Sequence, residues 1–329
     1  MRVLKTVLSH LFPIGIFIVL SLGYFYPLLN GKAIFQSDIV QFKGMQRQVL
    51  EHRAAYDEEP YWIDNAFGGM PTYQIVSNHA HDLIGHIDGL IRFLPRPADY
   101  LFVYLVGFYF LALFFKASKP TAIMGAVAFG FSTYLIIILG VGHNTKALAI
   151  GYMPWAFLGV LHILKNNYTI GFPIAVLGTA LQLHANHYQM TYYMLLLMGV
   201  LVLFHVIRHI KNNSLPQLLR PFSMLILSFL LALSFNATHL LATNEYTTYS
   251  TRGENPLTIR ADGTPSADNE GLSYEYITEY SYGILESINL LVPRFMGGGS
   301  GDRLPSDSHL MEFLQKLEPE TAQQIFRYA

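Results

Sequence analysis

Seven stretches of this chain are apolar enough, for long enough, to cross a bilayer. They are roughly 11–29, 99–115, 121–141, 147–164, 170–185, 190–207 and 221–241. No Lys, Arg, Asp or Glu interrupts them, apart from Asp99 at an edge. A lone charge at a helix centre costs about 2.5–3.5 kcal/mol on insertion scales. The pattern therefore predicts transmembrane helices, of which 170–185 is the shortest. The first run follows Met-Arg-Val-Leu-Lys and ends in Tyr-Pro-Leu-Leu-Asn, without a small-x-small cleavage site. It is longer than a signal-peptide core and reads as an uncleaved first span. The expected fold class is an all-α polytopic membrane protein of about seven transmembrane helices, with a large first outer loop at 30–98.

Orientation follows from where the basic residues fall. The N-terminal side collects Arg2, Lys5, Lys116, Lys119, Lys165, Arg208, Lys211 and Arg220, while the short loops of the other side carry only Lys146. Positive residues stay inside, which predicts a cytoplasmic N-terminus. Loop 30–98 and everything after about 242 then face outward. The expected organisation is a transmembrane bundle over 1–242 and an extracytoplasmic region over 243–329.

Within the outer loop, Leu83, Ile84, Ile87, Leu90, Ile91 and Leu94 recur at helical spacing. Asp82, His86, Asp88 and Arg92 fall on the other face, and Pro95 and Pro97 end the run. This predicts an amphipathic helix, lying in the membrane interface, packed on the bundle, or both. The segment 64–74 is rich in Gly and aromatics and predicts a structured turn.

Composition narrows the function classes. Only 13% of residues are charged and 52% are hydrophobic, against roughly 25% charged in a soluble chain. The net charge of −1 gives no global field for nucleic acid. The absence of cysteine excludes disulfides, iron–sulfur clusters and thiolate zinc sites.

The polar residues that could carry chemistry gather at the outer face. Asp38, in Gln36-Ser37-Asp38, suits a general base or a divalent-cation ligand, and equally a helix cap. His143, Asn144 and Lys146 suit a phosphate at the membrane surface, or a polar turn with a snorkelling lysine. Asn186, His187 and Gln189 follow the fifth span, and His184-x-x-His187 has the spacing of two metal ligands on one helix face. Tyr246, Tyr249, Ser250 and Arg252 suit a phosphate or sugar ring, or an aromatic belt. Gly297–Gly299 lacks the Lys-Ser/Thr of a phosphate-binding loop and reads as flexible.

Taken in order, several local sequences form a pattern. They are Gln36-Ser37-Asp38 with Gln41-Phe42-Lys43-Gly44, Phe67-Gly68-Gly69-Met70-Pro71, Leu94-Pro95-Arg96-Pro97-Ala98 and Gly142-His143-Asn144-Thr145-Lys146-Ala147. Ala185-Asn186-His187-Tyr188-Gln189-Met190-Thr191-Tyr192-Tyr193, Tyr249-Ser250-Thr251-Arg252-Gly253 and Tyr280-Ser281-Tyr282-Gly283 follow. The series resembles the bacterial YfhO-type membrane protein family over nearly the whole chain.

That resemblance implies a GT-C-like bundle in the bacterial inner membrane. It also implies sugar transfer from a polyprenyl-phosphate donor to a cell-envelope acceptor outside the cytoplasm. Asp38 matches the acidic residue such enzymes place in the first outer loop, with a divalent cation as a possible cofactor. His143, Asn144, Lys146, Asn186, His187, Gln189, Tyr249 and Arg252 are the expected substrate-binding residues. Family members are longer, so this chain is expected to be an N-terminal portion of one. The alternatives are a lipid or polysaccharide transporter, or flippase, and a non-catalytic assembly protein. Transporters commonly carry ionisable groups inside their spans; these spans hold only His162, His205 and His239, near their ends.

Overall fold

The computed structural model of the protein describes residues 2–76, 81–250, 274–279, 281–292, 295 and 309–317, with side chains for all but 2–7, 309 and 310. The chain divides into two units, Met1–Ile277 and Thr278–Ala329. The first is mostly helical. Its long helices are α1 (Arg2–Tyr24), α2 (Ser37–Tyr56), α3 (Leu83–Ile91), α4 (Ala98–Phe114), α5 (Lys119–Gly130) and α6 (Thr133–Val141). Then come α7 (Asn144–Leu164), α8 (Tyr168–His184), α9 (Tyr188–Lys211), α10 (Leu219–Phe235) and α11 (Ala237–Thr247). The second unit contributes a 3₁₀ turn at Glu286–Leu290, where Glu286 accepts the Gly283 N–H at 2.6 Å, and a short helix at His309–Leu314.

Three segments are long and apolar enough to cross a membrane: Asn144–Leu164, Tyr188–Lys211 and Leu215–Phe235. A fourth arises if α5 and α6, bent by 48° at their junction, form one span. Leu8–Tyr24 and Ala98–Phe114 are shorter apolar helices. The surface of α9 supports the same reading. Leu196, Leu197, Val200, Leu203 and Phe204 are all exposed, a face that hydrocarbon accepts and water does not. The helices point to a membrane protein.

Close packing rather than size holds the centre of the bundle. α7 and α8 meet through small residues. A Cβ on Gly159 would sit 2.2 Å from the Ala175 backbone nitrogen, and one on Gly178 would sit 2.6 Å from that of Ala156. In lipid, where apolar surface gains little by leaving the solvent, such backbone approach supplies the dispersion contacts that join helices. α4 lies against α1, α5 and α7 and buries Tyr100, Tyr104 and Tyr109 together with Phe17 of α1.

The segment between α1 and α4 is structured throughout its described part. α2 was not expected from the sequence. Its apolar residues have no helical stripe, and among them only Val49 is buried. It is held instead by polar contacts to the chain that follows. Gln48 accepts the Asp64 and Asn65 N–H groups at 2.9 and 3.2 Å, and Arg53 forks both Glu59 oxygens at 2.6 Å. The turn expected at 64–74 is a hairpin of β1 (Trp62–Ile63) and β2 (Met70–Pro71), followed by a 3₁₀ turn at Thr72–Gln74. Tyr73 and Gln74 then reach α11, at Ala242 O (3.0 Å) and Thr243 Oγ1 (2.7 Å).

The amphipathic helix forms as α3, capped by Asp82 on the Gly85 N–H at 2.8 Å. Its polar face is split, with His86 exposed and Asp88 buried. Ile84 and Asp88 point into the bundle, while Leu83 and Leu90 are exposed. Arg92 bonds Asp88 through two nitrogens and reaches Asp99 at 3.1 Å, and Tyr152 of α7 donates to Asp88 at 2.6 Å. The ion cluster therefore nails the helix to the bundle and turns some of its leucines outward.

Candidate functional site

The residues singled out near Asp38 and His143 come together although about a hundred positions separate them. Gln36 is the residue before α2, and its amide donates to Leu139 O of α6 at 2.5 Å. Gly142 ends α6 at φ +96°, in the left-handed region. A Cβ there would lie 3.0 Å from the Gln36 Cβ and 3.6 Å from the Asp38 Cβ. Glycine thus serves twice, by turning the chain and by admitting the start of α2. The result is a contact between His143 Nδ1 and Asp38 Oδ2 at 3.0 Å, each side chain nearly half exposed.

Lys146 stands on the first turn of α7, half-buried, and forms no hydrogen bond or ion pair with a described residue. A cation is disfavoured at a helix N-terminus, where the backbone is already partly positive. His143, at the cap position of α7, gives no side-chain capping bond, and neither does His187 at the start of α9 nor Gln36 at the start of α2. The N-termini of α2, α7 and α9 thus lack side-chain caps; Ile39, Asn144 and Met190 N–H groups bond nearby carbonyls, and Lys146, near His187, has no ion partner among the described residues. Such a place suits an anion.

His187 belongs to this locus. Burial lowers its pKa from the ordinary 6.5, and the positive charges of Lys146 and His143 lower it further. Ala149 of α7 packs with Ala185 and Met190, which flank the same turn. Asn186 occupies that turn at φ +54°. Asn144 Oδ1, Asn186 Oδ1 and His187 Nδ1 are buried with no hydrogen-bond partner among the described residues. Gln182 Nε2 is a fourth such atom, on a fully buried side chain of α8 whose Oε1 accepts from Thr191 at 3.1 Å. Buried polar atoms left open are costly in a finished core and expected where a ligand completes the set. Gln182 was not singled out from sequence, because a glutamine late in an apolar helix carries no local signature.

Other sequence candidates stand apart. Gln189 is exposed and donates to Tyr193 at 2.9 Å. Tyr249 is 80% exposed just beyond α11. Arg252 and Gly297–Gly299 lie outside the described residues. The His184-x-x-His187 spacing does not place two imidazoles on one helix face, because α8 ends at His184 and the chain turns at Asn186. His184 faces Asp82 at 3.9 Å instead. Among the described residues no group of three or more His, Asp or Glu gathers as a metal site.

A separate groove opens between α3, α4, α7 and α8. It encloses about 390 Å³ and is lined by residues such as Leu90, Phe93, Phe102, Trp155, Ile174 and Leu177. Its wall is hydrocarbon and aromatic, and its rim carries the outward leucine of α3.

Compared with known proteins, the chain matches no family model, no curated protein and no solved structure.

Proposed function

We propose that the chain is a membrane glycosyltransferase of GT-C-like design, akin to the YfhO-type family. It moves a sugar from a polyprenyl-phosphate donor to a cell-envelope acceptor at the extracytoplasmic face of a bacterial inner membrane. The observation that carries the reading is the Asp38–His143 pair set beside Lys146 and three uncapped helix N-termini. A base and an anion site in contact are what transfer from a lipid phosphate requires.

In this reading Asp38 takes the proton of the acceptor hydroxyl, and His143 orients the carboxylate through Nδ1. The acceptor oxygen bonds to the anomeric carbon with inversion as the bond from that carbon to the phosphate oxygen breaks. The lipid phosphate leaves with the electron pair, and Lys146 with the first-turn N–H groups of α7 and α9 stabilises its charge. Asn144, Asn186, His187 and Gln182 take sugar or phosphate oxygens and hydroxyls. A divalent cation, where one takes part, would draw on Asp38 and on the donor's phosphate oxygens. The apolar groove beneath α3 accommodates the isoprenoid tail.

The bundle then comprises seven spans: α1, α4, α5 with α6, α7, α8, α9 and α10, with the N-terminus in the cytoplasm. α4 is short at 17 residues, or about 26 Å. It is mostly covered by neighbours, so it need not match the bilayer thickness.

Membranes expressing the chain, supplied with labelled polyprenyl-phosphate sugars, test this. Transfer should fall about a hundredfold or more in Asp38→Asn and comparably in Lys146→Gln, with expression unchanged. Transfer indifferent to both substitutions removes the site from the reaction. Flux of the lipid across vesicles without transfer assigns the chain to transport instead.

A further inference from the structure

The end of the bundle opposite Asp38 holds a second cavity, unused by the chemistry above. α7 has 21 residues, so its two ends lie about 30 Å apart at ~1.5 Å per residue. At the far end a cleft of about 810 Å³ opens between the turn leading into α8 and the start of α10. Asn166, Asn167, Thr169, Gln217, Arg220 and Ser223 line it. Arg220 is its one charged wall residue.

Among the described residues no carboxylate pairs with this arginine. Residues 100–244 contain seven Lys and Arg and no Asp or Glu. Lys116 and Lys165 follow α4 and α7, and Arg208 and Lys211 lie in the last turn of α9, at this same end. The Arg220 guanidinium lies 4.6 Å from the centre of the Tyr168 ring. That ring is itself fixed by its hydroxyl, which donates to Asn166 Oδ1 at 2.5 Å. The cation–π contact holds the guanidinium against the ring, and no described residue takes its N–H groups, which can fork two oxygens. Asn167, before α8, makes no capping bond, so first-turn N–H groups of that helix also face the cleft.

We infer that this cleft binds a phosphate group, carried by an anionic phospholipid headgroup or present as the free ion. Arg220 forks its oxygens, and Thr169 and Gln217 supply neutral hydrogen bonds around it, the Ser223 hydroxyl being spent on Leu219 O at 2.5 Å. The leaflet facing the basic end of a bundle is the one where anionic headgroups gather.

The test uses the full chain purified in detergent with phosphatidylcholine. Its melting temperature is followed while phosphatidylglycerol, further phosphatidylcholine or inorganic phosphate is added. Phosphatidylglycerol should stabilise it, and Arg220→Gln should weaken that response about tenfold or more. Ser223→Asp should do the same by repulsion from an exposed helix position, which keeps the test valid if Arg220→Gln impairs folding. Lys211→Gln, at the same end but outside the cleft, should respond as the wild type does. A response to inorganic phosphate alone, lost in Arg220→Gln, supports the site with the free ion as occupant. Equal losses in Lys211→Gln and Arg220→Gln overturn it in favour of diffuse surface attraction. No response to either anion overturns it as well.

Discussion

Two charged clusters near the same end of the bundle differ in how far they are finished. Under α3, Arg92, Asp88 and Asp99 are 12%, 4% and 1% exposed, and each finds partners within the protein. Tyr152 and the Tyr100 N–H complete the carboxylates. At the start of α7, Asp38 and His143 are nearly half exposed, Lys146 has no ion partner among the described residues, and buried atoms of Asn144, Asn186 and His187 stay open. The first cluster is closed and fastens a helix. The second is open, and its open valences are those of a binding site. Burial and charge alone would have ranked the first as the functional one; completeness of pairing reverses the order.

The largest expected effect tests the closed cluster. Arg92→Met leaves two buried carboxylates without their cation and should cost about 3–5 kcal/mol. Thermal unfolding in detergent, followed by the fluorescence of the protein's tryptophans, would register it, and an unchanged midpoint would show the cluster to be ornamental. Tyr152→Phe removes one bond to Asp88 and should cost about 1–3 kcal/mol in the same assay. Gly142→Ala forces a side chain into a left-handed turn against Gln36, at about 1–3 kcal/mol. It should also reduce transfer by displacing Asp38; stability lost with transfer intact would detach Gly142 from the site.

Asp38→Asn should move stability by no more than about 1 kcal/mol, as for other exposed pairs, while transfer collapses. A large loss of stability would place Asp38 with the closed cluster. The smallest effect is a pH dependence. The pKa of His187 is lowered in the folded chain, so the unfolded chain binds more protons as pH falls below about 6.5. Stability is fully present above that value and declines as pH falls toward the folded pKa. His187→Gln should flatten the decline. Lys146→Gln should raise the His187 titration midpoint, read by NMR of the imidazole; no movement would mean the two are not neighbours.

Hydrophobic runs and their lack of charge determined, from sequence alone, that the chain is helical and apolar enough for a membrane. The amphipathic repeat placed α3, and the turn residues marked a structured turn over 64–74, within which the hairpin closes. Periodicity does not record depth, so it set Asp88 and Arg92 on the face opposite the apolar stripe without showing that pairing lets Asp88 be buried and Arg92 nearly so. It gave no sign of α2, which side-chain hydrogen bonds hold more than an apolar stripe does. It did not show the break between α5 and α6, where no proline marks the bend. The identities of Asp38, His143, Lys146 and His187 were legible because polar residues are rare in this chain and cluster at loop ends. Their meeting was not. That depends on a left-handed glycine accepting the start of α2, and on the close seam of α7 and α8 carrying residues 144–146 to the turn at 186–187. Such proximity is a property of packing, and only the tertiary structure decides it.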